Sequence, residues 1–175
     1  MTRIAAVFSF ALLALVPELA SGGHAQAQQW RAATEAELKT IIPARAQVEK
    51  ERIETEFRTA SGITNGKGRY VAGVVLITAG YSAEGKYSHF FVTQEPMHLD
   101  SLALSPGNYV FGWKRASDDV LDVRFYEAET GKFVGSVQAV RNSRLGRIQS
   151  FLIQPSAEKP LILIGRFGIP YKLGS

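Results

Sequence analysis

The side chains best suited to chemistry in this chain are His89 and His98, with Glu95 and Asp100 close by in sequence. They offer nitrogen and carboxylate donors, and a zinc centre needs about four donors, three of them protein groups in a typical catalytic site. Their spacing follows no recognised ligand pattern. In a regular strand over 87–97, His89, Phe91, Thr93 and Glu95 share one face, and His98 falls on the other unless Pro96 turns the chain. The pair reads as half-exposed histidines in or beside a strand, weak metal candidates only, and no metal or cofactor is expected. Copper(I) fits less well still, because Met97 is the only methionine besides Met1 and soft sites draw on several sulfurs.

Motifs for nucleophiles and phosphates fail on context. Gly80-Tyr81-Ser82-Ala83 begins like a nucleophile elbow, but Glu84 stands where the second glycine is required, and no helix pattern follows. Ser82 is therefore read as a turn residue. Gly66-Lys67-Gly68 leads into a strand pattern, whereas a P-loop opens a helix, so it reads as a hairpin turn. Asp118, Asp119 and Asp122 lack the spacing of a calcium loop, which gathers about six to eight oxygens. Glu54 and Glu56 are flanked by Arg52 and Arg58, without the apolar setting that turns one carboxyl into a general acid. No catalytic residue is assigned, and the chain reads as non-enzymatic.

Two groups suit binding. Arg141, Arg144 and Arg147 recur in a polar stretch, and with Lys159, Arg166 and Lys172 they make 139–175 the most basic part of the chain. Guanidinium groups offer paired donors to carboxylate or phosphate, so the three arginines are the candidate anion site. Few aromatics interleave with them, which argues against nucleic acid. The central runs are rich in aromatics, and Tyr87, Phe91, Trp113 and Tyr126 are the candidates for a ligand or partner surface.

The elements that must position these residues are strands. Thr34 and Glu37 form a capping box that opens a short helix through Leu38, Ile41 and Ile42, which Pro43 ends. Residues 48–60 suit either a helix or a strand with a charged face, and the alternation of Ile53, Thr55, Phe57 and Thr59 favours the strand. From residue 69 onward, strand-sized runs alternate with Gly, Pro, Asn and Asp turns. The fold class is mainly β: an antiparallel β-sandwich or barrel of about eight strands with a short N-terminal helix. Residues 28–47 form an extension carrying the helix, and 48–175 form a single all-β domain.

Residues 1–27 carry an address. Arg3 is followed by an apolar run over 4–16, Pro17 breaks it, and Ala25-Gln26-Ala27 makes an A-x-A cleavage site. That order predicts a Sec-type signal peptide cleaved after Ala27, and hence a periplasmic or secreted protein. Cysteine is absent, so neither disulfides nor a thiol-linked lipid anchor hold the mature chain. Its apolar runs are strand-sized, and no transmembrane segment is expected there. The net charge is +4. These observations predict an exported, soluble, non-catalytic binding or structural module of the bacterial envelope, whose partner is an anionic polymer or lipid surface. The alternative is a carrier that holds a small apolar molecule or lipid in a barrel cavity. A hydrolase or metal-dependent enzyme is the third reading.

Overall fold

The computed structural model describes residues 30–78, 85–143, 148–155 and 160–174. The expected leader, the turn around Ser82, and Arg144 and Arg147 lie outside the described residues. The first elements are β1 (Arg31–Ala32), α1 (Glu35–Ile41), β2 (Arg45–Val48) and β3 (Glu51–Thr64). The capping box is present. The Glu37 amide donates to the Thr34 hydroxyl at 3.3 Å, and the Thr34 amide donates to the Glu37 carboxylate at 2.8 Å. Residues 51–60 are strand, with Ile53 and Thr55 buried and Glu54 exposed.

The chain continues through β4 (Tyr70–Leu76), β5 (His89–Thr93), β6 (Met97–Leu99), β7 (Leu102–Leu104), β8 (Gly107–Ser117) and β9 (Val120–Glu127). It closes with β10 (Phe133–Arg141), β11 (Gln149–Ile153), β12 (Leu161–Gly165) and β13 (Phe167–Leu173). The principal sheet runs β1-β3-β4-β5-β8-β9-β10-β13-β12-β11, with antiparallel pairing throughout. Its ends curl toward each other until β11 lies along β3. There the Ile153 amide donates to the Ser61 hydroxyl at 2.9 Å, a side-chain bond in place of a ladder. The architecture is thus an antiparallel barrel, nearly closed, which resolves sandwich or barrel in favour of the latter.

Among the described residues there are 13 strands, where the sequence suggests about eight. The additional ones are mostly short: β1 has two residues, and β6 and β7 have three each. Such pieces are below the length at which alternation registers. The expected continuous strand over 87–97 also breaks, because Thr93 folds its hydroxyl onto the Glu95 carbonyl ahead of Pro96. Asn65 caps the β3–β4 turn by accepting from the Lys67 and Arg69 amides, and Gly66 and Gly68 take positive φ there. The Gly66-Lys67-Gly68 stretch is accordingly a hairpin turn.

Two apolar clusters sandwich the wall formed by β4, β5 and β8. Inside lie Phe91, Phe111 and Phe125, with ring centroids 4.9–6.4 Å apart, together with Phe151, Ile162 and Ile169. Outside, Leu38 of α1, Ile42 just after it and Val48 of β2 cover Val74, Phe90 and Val110. β5 is consequently buried on both faces, so its sequence, His-Phe-Phe-Val-Thr, shows no alternation of apolar and polar residues.

Gly112 of β8 points outward beneath the segment leading into β5. A Cβ there would stand 2.3 Å from the Gly85 carbonyl oxygen and 2.6 Å from its carbon. Gly85 itself has φ +65° and cannot readily move aside. Gly112→Ala is expected to destabilise the fold by about 2 kcal/mol or more. Urea unfolding should show a lower midpoint at unchanged slope, and an unaltered midpoint would refute the close approach.

Candidate functional site

The inward positions of β8 change character along the strand. Phe111 is fully buried, Trp113 is 37 % exposed, and Arg115 is exposed. The barrel interior therefore stops being filled one step beyond Phe111. A cavity of about 640 Å³ opens at that end. This lies within the roughly 300–1,000 Å³ range of small-molecule sites. Val75, Leu121, Ile148, Ile164 and Phe167 give it apolar walls, Ser88 and His89 supply polar atoms, and Arg115, Arg141 and Arg166 line it as well.

His89 enters the cavity through pairing, not through any motif. It stands opposite Val75 on one side and Phe111 on the other. Its ring stacks on Phe111 at 4.6 Å, nearly parallel, and lies 5.3 Å from Phe151. The residue is only 4 % exposed. Nδ1 is 2.8 Å from the Ser88 hydroxyl, while Nε2 is buried without a hydrogen-bond partner among the described residues. Burial penalises the imidazolium and pushes the His89 pKa down to about 3, so the ring is neutral at neutral pH.

The mouth is cationic. Arg115 and Arg141 stack over Phe167 at 5.5 and 5.9 Å. Arg141 also pairs with Asp119 at 3.0 Å and donates to the Asp118 carbonyl at 2.7 Å. These bonds hold the two guanidinium groups around the β8–β9 turn. No carboxylate lines the cavity among the described residues.

Ser88 and His89 are the distance of a nucleophile and base apart. Their chemistry differs from such a pair, because an imidazole with a pKa near 3 is too weak a base to draw a proton from a serine hydroxyl. Among the described residues no carboxylate orients its other nitrogen. The Ser88–His89 pair is therefore not arranged as a nucleophile and its base.

The remaining candidates are distributed. His98 is exposed on β6 opposite Lys172 of β13, on a second concavity of about 580 Å³ that includes Asp100 and Tyr171. β13 runs from Phe167 in the His89 cavity to that distant concavity, so the two histidines belong to different places. Among the described residues no group of three or more histidine, aspartate or glutamate side chains is placed to hold a metal ion. Asp122 pairs with Arg124 at 2.8 Å and Glu56 with Arg58 at 2.9 Å, so these carboxylates face arginines rather than one another.

Of the four aromatics, only Trp113 reaches the cavity. Phe91 is wholly interior, because the β5 pleat sends it into the barrel between β4 and β8. Tyr87 is buried in the outer cluster, where its hydroxyl donates to Glu49, and burial followed by that carboxylate pushes its phenol up to about 12. Tyr126 packs edge-on against Tyr87 and beside Phe133. Arg115 and Ser88 escaped sequence reasoning. The one available signal was the inward parity of Phe111, Trp113 and Arg115 on a single strand.

No protein family, curated protein or solved structure matches this chain.

Proposed function

We propose that this protein is a non-catalytic carrier that takes a small apolar molecule into the open end of its barrel. The observation that supports it best is the switch along β8 from a packed aromatic interior to an apolar cavity rimmed by arginines. A filled barrel would have continued the Phe111 layer with another buried side chain. The expected signal peptide adds that the carrier works in the periplasm or outside the cell.

The envelope-module reading rests on the basic stretch 139–175. In the fold, Arg141 and Arg166 face the cavity while Lys172 sits by the other concavity, which favours local recognition over one broad cationic face. Among the described residues, no helix is long and apolar enough to cross a membrane.

The test is titration with N-phenylnaphthylamine, a neutral apolar dye. Saturable binding of one dye per chain is expected, with energy transfer from Trp113. Ser150→Trp places a large ring on an exposed position at the cavity wall and should block uptake. Absence of saturable binding, or uptake unchanged in Ser150→Trp, would overturn the carrier reading.

A further inference from the structure

The cavity has polar groups at two depths, and their bonding constrains what fits between them. Ser88 has a single hydroxyl proton. Its oxygen lies 3.3 Å from the Phe111 carbonyl and 2.8 Å from His89 Nδ1. The Phe111 carbonyl already accepts from the Ser88 amide at 2.9 Å, so the Ser88 hydroxyl can either donate to His89 Nδ1 or accept from it. Nε2 carries a hydrogen in the first arrangement and a bare lone pair in the second. In both it is buried in apolar surroundings and has no hydrogen-bond partner among the described residues. A buried polar atom left unpaired is costly, and a hydroxyl from outside the chain, which both donates and accepts, would satisfy it in either arrangement.

At the outer end, Arg115, Arg141 and Arg166 present three positive charges. Arg141 already engages Asp119, and Arg115 donates to the Asp118 carbonyl at 3.4 Å. Their remaining donors face a cavity that no carboxylate lines among the described residues. Phe111 and Arg115 are four positions apart on β8, roughly 13 Å along a strand. The arginine side chain is long enough to shorten that span. The walls in between are apolar.

We propose that the ligand is a hydroxylated apolar carboxylate, with its hydroxyl hydrogen-bonded to His89 Nε2 and its carboxylate held by Arg115, Arg141 and Arg166. This rests on the carrier reading above and names the chemical class that the carrier takes. A short aromatic acid with a para hydroxyl spans the two ends, and its ring lies between Trp113 and Phe167. Charge-assisted hydrogen bonds fix one end and a neutral one the other, so the molecule enters hydroxyl first.

Three probes separate the contributions: para-hydroxycinnamate, cinnamate without the hydroxyl, and para-vinylphenol without the carboxylate. Each is titrated calorimetrically and by displacement of N-phenylnaphthylamine. Para-hydroxycinnamate should bind one per chain. Cinnamate should bind about tenfold more weakly to the wild type. In His89→Phe, whose ring can stack on Phe111 as the imidazole does, the two acids should bind alike. Para-vinylphenol should also bind about tenfold more weakly, and this preference should shrink in the Arg115→Gln, Arg166→Gln double variant and with added salt. Arg141 is left in place because it ties down the β8–β9 turn.

Equal affinities of cinnamate and para-hydroxycinnamate in the wild type would overturn the proposal, as would a hydroxyl preference that survives in His89→Phe. Dye uptake with displacement by none of the three probes would remove the head-group assignment while leaving the carrier standing. Failure of the dye itself to bind would remove both.

Discussion

Acidification is expected to destabilise this protein by about 1.4 kcal/mol per pH unit through His89 alone. The fall begins near pH 6.5 and ends near pH 3, where the folded protein begins to protonate the buried ring. The direction follows from proton counts. An unfolded histidine binds a proton below its ordinary pKa, whereas the folded His89 stays neutral because burial disfavours the imidazolium. Between those limits the unfolded chain holds more protons, so stability is complete above the window and is lost as pH falls through it.

Other groups also respond to acid. Glu37 is held down to about 2, first by Arg31 and then by the Thr34 amide, and Glu56 is held low by Arg58. They are common to the wild type and to His89→Phe. The difference between the two proteins therefore isolates the histidine. At neutral pH His89→Phe should be at least as stable as the wild type, because it replaces a buried unpaired nitrogen by carbon. Urea unfolding at several pH values should give curves that diverge progressively below about pH 6. Parallel curves would show that His89 titrates normally and is not enclosed as described.

Phe111→Ala is the substitution expected to cost most, about 3–5 kcal/mol. Phe111 is wholly buried and is the ring on which His89, Phe91, Phe125 and Phe151 converge. Its neighbours come from β5, β9 and β11, on both sides of the seam, so no single strand can shift to fill the hole. For a domain of this size the melting temperature should fall by about 10 °C or more. The new void adjoins the natural cavity and is lined by aromatics. Benzene should therefore bind there and restore part of the lost stability in the variant, with little effect on the wild type. A loss below about 1 kcal/mol would mean that the barrel collapses readily around this position, contrary to the packing across the seam.

Much of the barrel was legible in the chain because antiparallel strands with one buried face leave a period of two. Leu121, Val123 and Phe125 alternate with Asp122 and Arg124, and the structure puts the first three inside and pairs the last two with each other. The helix was legible for an equally local reason, since both partners of its capping box lie within one turn. β5 shows where that reasoning stops. Its five residues are all buried because α1 and β2 cover the outer face, and nothing within 89–93 announces a helix tens of residues earlier in the chain. The two-residue turn at Gly165-Arg166 was hidden in the same way, inside a run that is apolar on both sides.

The site was less legible than the fold. In sequence Arg141 goes with Arg144 and Arg147 by spacing, yet in space it joins Arg115 of β8 and Arg166 of the β12–β13 turn. That grouping depends on β10 pairing with both β9 and β13. Along the chain His89 and His98 are neighbours, which suggests a metal pair. The break after Thr93 and the turn into β6 carry them to different parts of the barrel.

By itself, the sequence determined a cysteine-free, mainly antiparallel β chain with a capped helix, because those features rest on composition and on contacts between near neighbours. Only the tertiary structure decided that the sheet curls until β11 meets β3, leaving a cavity between a neutral buried imidazole and three guanidinium groups. Curvature and closure come from pairings between strands far apart in the chain, and no short window of sequence encodes which strands those are.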